Sequence, residues 1–381
     1  MKKFKFIDLF SGIGAFHQAM ENLGGECVFA SEIDDRCVEV YKNNYNIDSK
    51  HDITKTDEKD IPTHDVLCGG FPCQAFSKAG KQMGINDARG TLFFDIARIL
   101  KYHHTKYIIL ENVKNLVSHD NGNTWKTIKR ILIDIGYKLT PEPLILSPHQ
   151  FGVPQVRERV FILGVYDPEH CNEPLEISLP NLLQKEDNSI YSILDKDKQN
   201  ELSEYELNLL EIWNEFHEIV KKESLGFPIW TSFFGKKPNA NMPKWKQDYI
   251  IKNNKLYEKY KSEIDLWLEK HNQLKDLTPT HRKFEWQAGK NVTSIYDAVI
   301  QFRPSGVRVK KPDVFPALVA IVQIPIIGKY KRRLSPRECA RLQSFPEQFI
   351  YDKNDHFAFK QFGNSANVKI IQTLGKELFT K

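Results

Sequence analysis

Long apolar runs are missing from this chain. No stretch approaches the roughly 20 consecutive apolar residues needed to span a bilayer, which excludes a helical membrane protein. The N-terminus, Met1-Lys2-Lys3-Phe4, leads directly into a strand-like segment and carries no apolar signal core or small-residue cleavage site. A cytoplasmic location is expected, with no membrane partner. The six cysteines (27, 37, 68, 73, 171 and 339) include no Cys-x-x-Cys pair. A disulfide scaffold is therefore not expected, nor a structural zinc site or any other metal. Repeats and low-complexity tracts are also lacking. Strong net charge is lacking too: 54 Lys and Arg against 49 Asp and Glu leave +5 over 381 residues.

The distribution of that charge says more than its sum. Between Arg303 and Arg341, ten Lys or Arg face only Asp313 and Glu338. So lopsided a cluster fits a polyanion surface, although a solvated basic face would look the same. From residue 4 to 165, short apolar segments (5–10, 27–30, 66–68, 107–110, 144–146, 160–163) alternate with helical patterns (14–23, 91–102, 123–134). Such alternation predicts a parallel, doubly wound α/β sheet. Past residue 166 the alternation stops. Two amphipathic helical patterns follow, near 203–221 and 254–272, separated and followed by aromatic- and Lys-rich loops at 230–237 and 283–287. The expected division is a first domain at 1–184, a smaller one at 185–325, and a return to the first at 326–381. Ser335-Pro336-Arg337-Glu338 reads as a helix start, and a last helix is expected over 365–378.

Four groups of residues carry chemistry. Asp8-Leu9-Phe10-Ser11-Gly12-Ile13-Gly14 ends the first strand with a Gly-x-Gly, a geometry that brings backbone N–H groups against a nucleotide-like ligand. Ala15 and His17 leave no third glycine for a dinucleotide fingerprint. Glu32, about twenty residues on, suits ribose hydroxyls. Asp52 suits an adenine amino group, or simply caps a turn. Together these parts suggest an adenosine ligand without a required pyrophosphate. The second group is Gly69-Gly70-Phe71-Pro72-Cys73-Gln74, a thiol on a glycine-flanked loop after a strand. Alone, a cysteine is more often a small buried hydrophobe than a nucleophile. The third is Glu111-Asn112-Val113, an acid directly behind four apolar residues, whose burial would let it donate a proton. The fourth is Gln155-Val156-Arg157-Glu158-Arg159, whose arginines alternate to one face of an extended segment and could both meet an anion or a carbonyl.

In this order the four groups, with Arg333-Leu334-Ser335-Pro336-Arg337-Glu338-Cys339-Ala340-Arg341 and Gly363-Asn364-Ser365, closely resemble the DNA (cytosine-5)-methyltransferase family, in its bacterial restriction–modification form. The resemblance covers nearly everything outside 166–325. It implies a Rossmann-like S-adenosylmethionine-dependent methyltransferase fold with a smaller target-recognition domain. The implied reaction is methyl transfer to C5 of a flipped-out cytosine in duplex DNA, giving S-adenosylhomocysteine. Cys73 is implied as nucleophile and Glu111 as the group on N3 and the exocyclic amine. Arg157 falls on the base O2, and Arg159 on a phosphate or the loop. Cofactor contacts fall on Phe10, Gly12, Ile13, Gly14, Glu32, Ile33, Asp52, Ile53, Pro72, Leu92, Asn364 and Ala366, the last a departure from the usual Val. DNA contacts are assigned to Gln74, Ser77, Arg303 and Arg308. Also implied are a monomer and a cognate restriction endonuclease encoded nearby as functional partner. A tRNA cytosine-5 methyltransferase shares the same loop and glutamate. A deaminase does not fit, since its Pro-Cys-x-x-Cys would need a cysteine at Phe76. A non-enzymatic regulator on this fold would usually have lost Cys73 or Glu111.

Overall fold

A computed structural model describes residues 3–72, 92–178, 189–195, 200–319 and 323–381. The described residues fall into two compact units: Met1–Asn188 with Ala317–Val322 and Cys339–Lys381, and Ser189–Pro316 with Gln323–Glu338.

The first unit is built on a sheet of seven strands. Its elements are β1 (Phe4–Leu9), α1 (Ala15–Asn22), β2 (Gly25–Ser31), α2 (Asp35–Tyr45), β3 (Val66–Gly70), α3 (Leu92–His103), β4 (Tyr107–Val113), α4 (Asn115–Ser118), α5 (Asn123–Ile135), β5 (Tyr137–Leu139), β6 (Leu144–Leu146), β7 (Gln155–Val156) and β8 (Arg159–Tyr166). The strand order is β2-β1-β3-β4-β8-β5, with β6 also on β8. The first four strands are parallel, as the alternating pattern predicts. The far end differs: β8 runs antiparallel to β4, β5 and β6.

Helices cover both faces. Ile7, Leu9, Ile108 and Leu110 point into a core shared with Phe93, Ile96 and Leu100 of α3 and Ile128, Ile131 and Leu132 of α5. Alternate residues point the other way. There Phe6 meets His17 of α1, ring centroids 5.4 Å apart, and Ile109 lies beside Gly375. The expected helix over 365–378 is α11 (Val368–Leu378), preceded by α9 (Pro336–Leu342) and α10 (Asp355–Asn364). Gly363-Asn364 closes α10 and, three residues on, Asn367 caps α11 by accepting the Ile370 N–H.

The second unit holds α6 (Glu204–Val220), β9 (Ile229–Trp230), α7 (Lys244–Lys259), α8 (Lys261–Lys270), β10 (Lys283–Gln287), β11 (Val299–Arg303), β12 (Gly306–Lys310), β13 (Phe315–Pro316), β14 (Ile326–Ile327) and β15 (Arg332–Arg333). Its sheet runs β15-β14-β11-β12-β10-β9. Aromatics of the helices form the core: Trp213 stacks on Phe284 with centroids 4.8 Å apart, and the Trp267 indole N–H donates to the Ile212 carbonyl. The single helix expected over 254–272 is two, broken at Tyr260. Residues 283–287, expected as a loop, are β10; Phe284 and Trp286 enter the core while Lys283, Glu285 and Gln287 take the other face. Residues 326–338, expected in the return segment, stay with the second unit because β14 pairs with β11. A buried ion pair fixes this stretch: Glu338 accepts from Arg332 at 2.7 and 2.9 Å and from the Ser335 and Asp195 N–H groups.

Candidate active site

Parallel strands put their C-terminal ends along one edge, and ligands of open α/β sheets bind there. β1 ends in the loop Phe10–Gly14. β2 leads into Glu32, β3 into Phe71, and β4 carries Glu111 near its end. Register aligns them: Leu9 pairs with Ser31 and Gly69, and Gly70 pairs with Glu111.

Three bonds tie the β1 loop to the end of β2, one of them from the Phe10 N–H to the Ser31 hydroxyl oxygen at 3.3 Å. The Ser11 N–H donates to the Ser31 carbonyl at 2.9 Å, and the Gly12 N–H donates to Glu32 Oε2 at 2.8 Å. Glu32 Oε1 accepts the Ile33 and Asp34 N–H groups at 2.7 and 2.9 Å. Two observations make this a cradle. Among the described residues a Cβ built on Gly12 would meet nothing within 4 Å, and the buried Ser11 hydroxyl has no hydrogen-bond partner. Ile33 lies 69% exposed beside the carboxylate, a bare apolar surface suited to a flat ring. An adenosine group fits these residues.

Glu111 lies at the next strand end. Its Oε1 is 3.1 Å from Arg159 Nε at the start of β8, and both side chains are largely shielded. The antiparallel register pairs Val113 with Arg159, which brings this arginine beside the acid. Burial raises the Glu111 carboxyl above the ordinary range, opposed by Arg159 and then Arg157. A carboxyl so placed can hold a proton for a neighbouring ring nitrogen. Beside it, the Asn112 amide donates to the Phe71 carbonyl at 2.8 Å. That bond ties β4 to the segment two residues before Cys73. Cys73, Gln74 and Ser77 lie outside the described residues. Burial pushes the Cys27, Cys37 and Cys68 thiols well up, Cys27 to about 12. None of these three is a thiolate near neutral pH.

The family model of C-5 cytosine-specific DNA methylases matches residues 4–380. The chain belongs to that family. It is 36% identical to the Type II methyltransferase M.HpaII of Haemophilus parainfluenzae, over 100% of this chain and 90% of the relative. To M.AluI of Cellulosimicrobium cellulans it is 33% identical, covering 98% and 92%. Its fold is similar to that of a putative DNA modification methyltransferase encoded within a prophage (E. coli), at TM-score 0.59 and 19% identity, covering 99% and 98%. The enzyme is a DNA cytosine-5 methyltransferase, and membership implies S-adenosylmethionine as methyl donor.

Within this methyltransferase several residues take places other than those expected. Arg157 and Arg159 do not share a face. Arg157 is buried, and its guanidinium donates to the carbonyls of Leu318, Gly363 and Ser365 at 2.5, 2.8 and 2.9 Å. Burial pulls its pKa down to about 9, still high enough to keep the charge at neutral pH. Three of its N–H donors go to backbone carbonyls, which ties the Gly363-Asn364-Ser365 stretch to residue 318. Arg157→Ala should destabilise the fold by on the order of 3 kcal/mol, since buried carbonyls would lose their donors. Denaturant unfolding checks this. A stable variant defective only in turnover would contradict it.

Ile13 and Ile53 are core residues, about 2% and 3% exposed, so only their backbone can face a ligand. Ala366 is likewise buried, while Asn364 is exposed. Asp52 follows the turn-capping alternative: it accepts from the Thr54 N–H and hydroxyl and pairs with Lys55, and the Thr54 hydroxyl, then Lys55, lower its pKa. Phe10 and Leu92 pack partly on the core, and Pro72 is exposed. In the second unit Arg308 is not a free probe: its Nε and Nη2 both donate to Glu285 Oε2 at 2.8 Å. The hairpin register sets Arg303 and Arg308 on one face, and burial, then the Arg308 charge, lower the Arg303 pKa. Asn112 was not singled out in sequence, although it sits within the Glu-Asn-Val triplet. Among the described residues no group of three or more His, Cys, Asp or Glu could hold a metal ion, and no helix is long and apolar enough to cross a membrane.

Proposed function

We propose that this enzyme methylates one cytosine within a short duplex sequence and so protects cytoplasmic DNA from a partner restriction endonuclease, acting as a monomer. The observation that supports the reading is the shielded Glu111–Arg159 pair on the strand next to β3, whose chain leads through Phe71 and Pro72 toward Cys73. The names of the relatives, all Type II methyltransferases, favour DNA over tRNA.

S-adenosylmethionine, when bound, supplies an electrophilic methyl group. Glu32 would hold its ribose hydroxyls, Gly12 and Gly14 its methionine end, and Ile33 its adenine ring. Ile13, Asp52, Ile53, Pro72, Leu92, Asn364, Ala366 and Phe10 would line the same cleft. Cys73 attacks C6 of the cytosine as thiolate, which converts the ring to an enamine with a nucleophilic C5. Glu111 holds N3 and the exocyclic amine, supplying a proton to N3 as charge builds there. Arg159, fixed by Glu111, takes the base O2 in place of Arg157. Once C5 carries the methyl, water takes the C5 proton, the Cys73 thiolate leaves C6, and N3 returns its proton to Glu111, which restores the ring. The base must leave the stack first, at a cost of a few kcal/mol. Phosphate contacts from the basic 303–341 stretch, with Gln74 and Ser77 on the loop, offset it.

Arg303 and Arg308 share one face of the β11–β12 hairpin with Glu285. A guanidinium gripped along Nε and Nη2 still presents its Nη1/Nη2 end, the edge that pairs with guanine. Arg308→Ala should lower kcat/KM on the cognate duplex about 10- to 100-fold, with KM for S-adenosylmethionine unchanged. An unchanged kcat/KM would remove Arg308 from recognition. The reading as a whole is tested by supplying labelled methyl donor with duplex DNA and tRNA in parallel, then digesting to nucleosides. Label in 5-methyldeoxycytidine from the duplex is expected. Label in tRNA alone would favour the other substrate.

A further inference from the structure

The Phe10–Gly14 loop has an unusual backbone. Phe10, Gly12 and Gly14 all lie in the left-handed region, at φ 56°, 52° and 89°. For Phe10 that conformation is costly, and such a loop keeps its shape only where its surroundings hold it. Glu32 grips one end, through Gly12. The other end has a separate grip. Tyr45, the last residue of α2, donates its hydroxyl to the Gly14 carbonyl at 3.0 Å. Its ring fills the space that a side chain at position 14 would need: a Cβ there would fall 2.3 Å from Tyr45 Cε2. The ring is itself confined. It stacks on His17 with centroids 3.8 Å apart and interplanar angle 17°, and packs edge-on against Tyr41 at 4.9 Å. His17 Nδ1 and the Tyr41 hydroxyl hydrogen-bond at 2.7 Å.

We infer that Tyr45 is a positioning residue for the methyl donor, acting through the Gly14 carbonyl, with His17 and Tyr41 fixing its ring. The inference rests on the assignment of the Phe10–Gly14 loop to that donor. The grip is not a pH device. Burial pulls His17 down to about 3 and pushes Tyr41 and Tyr45 up, so these three stay neutral over the working range; burial also raises the neighbouring Asp8.

Tyr45→Phe keeps the ring and removes the bond. Its KM for S-adenosylmethionine and Kd for S-adenosylhomocysteine should rise about fivefold, the span of one net hydrogen bond. Its kcat at saturating donor and its affinity for DNA should stay within about twofold, since the reacting groups lie on other strand ends. Tyr45→Leu, which also loses the stack on His17, should show a larger rise in the same two constants. Glu32→Ala is the control. If Glu32→Ala weakens donor binding and Tyr45→Phe does not, the positioning role is overturned and the cofactor assignment stands. Unchanged donor binding in both would remove the donor from this loop, and the inference with it. A Tyr45→Phe enzyme with lower kcat and melting temperature but unchanged KM would reduce Tyr45 to a structural residue.

Discussion

Cys73→Ser should bring methyl transfer down by roughly 10³-fold or more, while S-adenosylhomocysteine still binds. Cytosine C5 reacts poorly with a methyl sulfonium until a nucleophile has added to C6. A serine hydroxyl at neutral pH is almost wholly protonated, so the addition stalls. A cysteine thiol, with an ordinary pKa of about 8.5, has a real thiolate fraction at neutral pH. No described neighbour can substitute: Cys68, five residues earlier, is fully buried in β3 and held as a thiol. Single-turnover assays with labelled methyl donor check the loss, and calorimetry with S-adenosylhomocysteine checks that the cleft survives. Substantial turnover by the serine variant would refute covalent catalysis through Cys73.

Glu111→Gln should lower kcat by about 10²- to 10⁴-fold, the usual contribution of a positioned proton donor, with little change in DNA affinity. Gln can still hydrogen-bond a ring nitrogen but cannot hand it a proton. Burial raises the Glu111 carboxyl, while Arg159 at 3.1 Å pulls it back. Raising the pH through the Glu111 pKa removes the proton, so wild-type activity should fall on that side. The Gln variant should lose that dependence along with its rate. Neutralising Arg159 removes the opposing charge, so Arg159→Met should move the fall to higher pH. A Gln variant within tenfold of wild type would show that the ring nitrogen is protonated by another group.

The strand ends that carry this chemistry were legible in sequence because each announces itself locally. Apolar runs stop at Gly12, Glu32, Gly70 and Glu111, and a parallel sheet aligns those stops. What was not legible depends on distant contacts. Arg157 and Arg159 look equivalent two residues apart, yet one meets the backbone of residues 318, 363 and 365 and the other meets Glu111. Residues 283–287 alternate like a strand over only five positions and read as a loop. The grip of Tyr45 on Gly14 spans 31 residues and leaves no motif. The smaller unit obeys its aromatic core more than any pattern along the chain. Trp213, Phe216, Trp267 and Phe284 pack together, and which strand neighbours which follows from that packing.

The central claim is covalent attack by Cys73 on C6 of a cytosine in duplex DNA. Its most direct measurement uses a duplex carrying 5-fluorocytosine at the modified position, incubated with enzyme and S-adenosylmethionine. Fluorine at C5 cannot leave as a proton does, so the adduct should persist. A denaturation-resistant enzyme–DNA species should form, with the crosslink mapped by mass spectrometry to the peptide containing Cys73. Crosslinking through another residue, or free 5-fluorocytosine DNA beside an enzyme that methylates the unmodified duplex, would contradict the account.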